Sequence, residues 1–96
     1  MREDQFRTYL SRIDEITSKE KAINSRVSRG YAVEEIVGES LDSIVSNDDE
    51  MYKALLKVKT SPKERSGNLQ NALRWYYEFV NGKKFPRVLS YERSKR

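Results

Sequence analysis

The amino-acid sequence predicts an all-α fold, a small orthogonal bundle of four main helices with one extra helical turn. Three observations carry this expectation. Apolar residues recur at the i, i+3, i+4, i+7 spacing of a helical face, and no stretch shows a convincing strand-like alternation. Two prolines and four glycines in 96 residues suit short helix connections better than a turn-rich β fold. The third is the stretch Leu69–Val80, where Leu69, Ala72, Leu73, Tyr76 and Val80 share one helical side. Phe79 borders that side, and Trp75 and Tyr77 extend it in opposite directions. The arc is too wide for a helix lying on a surface, so neighbours are expected to pack it on several sides. Asn71, Arg74, Glu78 and Asn81 remain for water or a partner.

The other elements follow in chain order. Phe6, Tyr9, Leu10 and Ile13 mark one face of a short amphipathic helix over Glu3 to Ile13, packed by Phe6 and Leu10. Thr17 or Ser18 can cap the next helix, and Thr17 with Glu20 has the spacing of a capping box. Its stripe of Ala22, Ile23, Val27, Gly30, Val33 and Val37 runs to Gly38, a C′ residue. Gly30 costs about 1 kcal/mol against alanine; close approach of a neighbour, such as the aromatic helix, is one reason to keep it. Leu41, Ile44 and Val45 form the extra turn. Asn47 or Asp48 caps a helix whose acidic first turn and Lys57 and Lys59 at its far end both suit the helix dipole. Met51, Leu55 and Val58 are its inner face. Ser61-Pro62 breaks it, and Ser66 is the expected N-cap of the aromatic helix, which Gly82 ends. Residues 1–87 are thus read as one helical domain. Residues 88–96, basic and without a stripe, are read as a flexible tail or linker.

Charge divides the chain. Residues 1–50 hold 7 basic against 12 acidic side chains, a net of −5, and residues 51–96 hold 12 against 3, a net of +9. A basic half attracts polyanions. No apolar run is long enough for a membrane span, and the start lacks a signal peptide's apolar stretch. With no cysteine and no histidine, thiolate and imidazole chemistry are excluded, and the expected setting is cytoplasmic. No cofactor, metal or small-molecule substrate is expected. No phosphate-binding glycine loop is present, and the pairs Asp14-Glu15, Glu34-Glu35 and Asp48-Asp49 read as solvated faces or caps rather than catalytic pairs.

What remains is a basic, amide-rich edge of Lys63, Arg65, Ser66, Asn68, Gln70, Asn71 and Arg74, with Lys83 and Lys84 as a basic exit. Lysine, arginine, hydroxyls and helix N-termini contact phosphates. Asparagine and arginine can also read base edges from a helix in the major groove.

The order Phe6-x-x-Tyr9-Leu10, a capped helix, and Leu41-Asp42 before the third long helix resembles the N-terminal core-binding domain of tyrosine recombinases and phage integrases. The closest match is Asn68-x-x-x-Ala72-Leu73-Arg74-x-Tyr76-Tyr77-x-Phe79, followed by Gly82 to Pro86. The resemblance implies a SAM-like bundle that grips duplex DNA, with contacts from Lys19, Lys21 and Ser25 and from Arg65, Ser66, Asn68 and Arg74. On this resemblance the chain is either a module of a longer parent that carries a catalytic domain, or a free-standing relative with only the binding function. That family's catalytic set has no counterpart here, so the expectation is a binding module and not an enzyme. The alternative is a helical protein-interaction module that docks an acidic partner or another domain, with Trp75 and Tyr77 as anchors.

Overall fold

The computed structural model describes residues 1–13 and 19–95. Among them are six helices and no strand: α1 (Glu3–Ser11), α2 (Lys19–Val37), α3 (Leu41–Val45), α4 (Asp48–Lys59), α5 (Asn68–Asn81) and α6 (Val88–Ser94). The expected bundle is present as α1, α2, α4 and α5, with α3 as its extra turn. The Thr17 or Ser18 cap, and the capping box with Glu20, lie outside the described residues.

Local chemistry sets most element ends. Asn47 is the cap of α4, its side-chain oxygen accepting from the amides of Asp49 (2.9 Å) and Glu50 (3.1 Å). Ser40 caps α3 through the Ser43 amide at 3.1 Å. Gly38 and Gly82 close α2 and α5 at φ of 83° and 70°, a left-handed backbone that a Cβ would strain.

Apolar faces then choose the neighbours. α1 runs antiparallel beside α2: Tyr31 donates to Glu3 (2.6 Å), Arg7 to Asn24 (2.7 Å), and Lys19 to the carbonyls of Ser11 and Ile13. Phe6 and Leu10 are fully buried beneath this pairing. α5 packs against α1, α2, α3 and α4, which makes it the centre of the bundle as its wide apolar arc requires. Its Tyr76 ring meets Phe6 edge-on at 4.9 Å, and Phe79 sits 5.4 Å from Tyr9. Gly30 does admit a close neighbour, but not the aromatic helix. A Cβ there would lie 3.2 Å from a Leu41 methyl and 2.6 Å from the Met1 terminal methyl.

The flexible tail expected from residue 88 is instead α6. Beyond Gly82 the chain turns so that Phe85 is buried, its ring edge-on to Tyr77 at 5.1 Å. Tyr91 of α6 is buried too, stacked on Phe85 and Tyr52 at 5.2 Å each. Lys95 pairs with Asp49 at 3.1 Å and Tyr52 donates to Glu92 at 2.7 Å, so α6 lies antiparallel along the start of α4. Residues 88–95 therefore belong to the same packed unit as the rest. One buried tyrosine holds a helix too short to show a stripe.

One chemistry recurs among the polar ties between elements. Five of the six tyrosines donate to a carboxylate: Tyr31 to Glu3, Tyr52 to Glu92, Tyr76 to Asp42, Tyr77 to Asp48 and Tyr91 to Asp49.

Candidate functional site

The approach to α5 is built differently from its sequence reading. Ser66 does not cap the helix. It and Gly67 take left-handed backbone, at φ of 54° and 78°, and the capping is done by Glu64 from further upstream. One Glu64 oxygen accepts from the amides of Arg65 (2.9 Å) and Leu69 (2.8 Å). The other accepts from the Gln70 amide (3.0 Å) and side chain (3.2 Å). Burial raises the pKa of this carboxyl, but the converging N–H donors outweigh it and hold the group below its ordinary value. A helix N-terminus favours one negative charge, and here a side chain of the protein supplies it. The start of α5 is not open to a phosphate.

Several expected contact residues are also engaged within the fold. Arg74 donates from Nη1 to the carbonyls of Phe85 (3.0 Å) and Pro86 (3.1 Å), and its guanidinium lies 5.9 Å from the Phe85 ring centre. Burial pulls its pKa below the ordinary arginine value. It pins the segment leaving α5 rather than standing free to read a base. Lys19 donates to the carbonyl of Ser11, the last residue of α1, at 2.9 Å and to that of Ile13 just beyond it at 3.1 Å. Lys63 lies 3.7 Å from Glu35, so its charge is balanced in part by α2. Arg65 and Ser66 are exposed and Asn68 is half-buried.

The expected residues do not form one patch. Lys19, Lys21 and Ser25 line a shallow concavity at the start of α2, together with Glu20 and Asn24. Lys63 meets the other end of that helix at Glu35, and the 14 residues from Lys21 to Glu35 span about 21 Å at ~1.5 Å each. A third group does come together. Asn71, Arg74 and Lys84 line a concavity of about 210 Å³ with Trp75, Glu78 and Phe85. Lys83 and Lys84 line a neighbouring one of about 410 Å³ with Ser94, Lys95 and Asp48.

One residue of this region, Lys95, escapes sequence reasoning as a site candidate. Lys95 joins Lys83 and Lys84 only because α6 folds back, and its single signal is the basic composition of the last residues. Trp75, half-buried, borders the first concavity. Tyr77 is no surface anchor: it is 1 % exposed and donates to Asp48 at 2.8 Å. Burial, with Asp48 adding to it, pushes its pKa up to about 12.

No protein-family model matches the chain, and no curated protein or solved structure matches it either. Among the described residues no helix is long and apolar enough to cross a membrane.

Proposed function

We propose that this domain is a cytoplasmic double-stranded DNA-binding module, holding the duplex weakly and mostly through phosphates, as the targeting part of a recombinase-like protein. The observation that carries this reading is the way the two signs of charge are used. Five carboxylates of the fold accept internal hydrogen bonds: Asp42, Asp48, Asp49, Glu64 and Glu92 each take a hydroxyl or amide donor. Lys57, Lys59, Arg65, Lys83, Lys84, Arg87 and Arg93 are exposed, and no carboxylate pairs with them among the described residues. An outward surplus of cations is the electrostatic footprint of a polyanion partner.

A second reading, docking of an acidic protein, draws on Leu89 of α6, which is 67 % exposed among these cations. One experiment separates the two. Anisotropy of a labelled duplex at low salt should report binding with Kd in the ~10⁻⁴–10⁻⁶ M range, and log K should fall with log salt by about 0.9 per phosphate neutralised. No binding to any duplex at low salt overturns the DNA reading and leaves the acidic protein.

A further inference from the structure

Resting on the DNA-binding reading, we infer that phosphates of the bound duplex lie across Lys84, in the two concavities that this side chain separates. The helix start, the usual place for a bound phosphate, is closed by Glu64. The cluster at the start of α2 has Lys19 turned onto backbone carbonyls and Glu20 beside it. At the turn after α5, the side chains of Lys83 and Lys84 donate to no backbone carbonyl and pair with no carboxylate among the described residues. Gly82 redirects the chain, and Lys83 and Lys84 follow it, both exposed. The segment is held from behind, by Phe85 in the core and by Arg74 on the Phe85 and Pro86 carbonyls. The two lysines therefore stand on a fixed support instead of a loose loop.

Lys84 borders both hollows, so they form one track. Asn71, Arg74 and Trp75 lie on one side, and Lys83, Ser94 and Lys95 on the other. Two carboxylates border the track. Asp48 accepts the Tyr77 hydroxyl, and Glu78 accepts no side-chain hydrogen bond among the described residues. Glu78 thus sets a repulsive term against any phosphate in the first hollow, and that term gives the placement a sign that can be tested.

Trp75 is the sole tryptophan of the chain, so its emission reports from the track itself. The full chain is titrated with a labelled duplex while anisotropy records binding and tryptophan emission records place. Binding at the track changes Trp75 emission in step with anisotropy. Replacing both lysines, Lys83→Ala with Lys84→Ala, flattens the salt slope by about 1.8, two phosphates at ~0.9 each. Glu78→Gln tightens binding. Circular dichroism confirms that each variant is folded. If the duplex binds but Trp75 emission stays constant and the Lys83/Lys84 variant keeps its slope, the placement is overturned and the DNA reading stands. If anisotropy shows no binding at low salt, both are overturned.

Discussion

Tyr76→Phe removes one oxygen from the centre of the molecule. That oxygen donates to Asp42 at 2.5 Å and accepts from the Arg2 amide at 2.8 Å, so its loss unties α5 from α3 and from the start of α1. The ring is fully buried and keeps its edge-on contact with Phe6, so packing is nearly unchanged. Hydrogen bonds to charged groups contribute about 1.5–3 kcal/mol. The Asp42 side chain is 37 % exposed, and water can partly replace the lost donor, so the lower part of that range applies, about 2 kcal/mol. At about 2.1 cal/mol/K of unfolding entropy per residue, that moves the thermal midpoint of a chain this long down by about 10 °C.

The pH dependence sharpens the test. Burial raises the Asp42 carboxyl, but hydrogen bonds from Tyr76 and Arg2 outweigh it and leave the pKa below its ordinary value. A carboxyl depressed in the folded state stabilises above its unfolded pKa, near 4, and that contribution disappears as pH falls through the folded value. The gap between the native chain and Tyr76→Phe should therefore be widest near neutrality and narrow below about pH 4. Thermal melts followed by circular dichroism give both results. Equal midpoints at pH 7 would refute the assignment of Tyr76 as a buried polar tie.

Three further outcomes follow from the same geometry. Glu64→Ala should cost about 1–2 kcal/mol, as loss of a helix cap does, and should raise amide exchange at Leu69 and Gln70 first; unchanged exchange there would mean that the carboxylate is not the cap. On alkaline titration Tyr76 and Tyr77 should ionise last, both near 12, because burial disfavours their phenolates. Their contribution to stability is full below about pH 10 and is lost between there and 12, so phenolate absorbance should finish rising as the helix signal falls. Tyr91→Ala should release α6 while α5 keeps its exchange protection, with a smaller drop in midpoint than the ~3–5 kcal/mol expected for Tyr76→Ala. Loss of protection in both helices at once would show that α6 is not a separable element.

The parts of the fold legible in the sequence are those written by short-range rules. Asn47 before an acidic turn, Gly38 and Gly82 after apolar stripes, and the wide arc of α5 each carry their meaning within a few residues. What escaped depended on distant partners. Ser66 has the composition of a cap, but Glu64 takes the place because a carboxylate two residues earlier reaches the same amides once Gly67 turns the chain. Arg74 looks free on a helical wheel. Its acceptors are loop carbonyls at Phe85 and Pro86, and no side-chain pattern announces a carbonyl. A helical wheel puts Tyr77 at an edge of the arc because it treats α5 alone, without the returning segment that covers it. α6 shows only Tyr91 and Val88 inward, too few to form a stripe.

The tyrosine–carboxylate ties also separate two responses to ionic strength. A phenol carries no charge, so its bond to a carboxylate is not an ion pair that dissolved salt can screen strongly. Those bonds join α1 to α2, α3 to α5, α4 to α5 and α4 to α6. A duplex gripped through lysines lets go as counterions compete, while the scaffold under those lysines should hold nearly the same thermal midpoint over the same range of salt. If the domain binds DNA as proposed, salt would release the duplex and leave the folded domain ready to bind again.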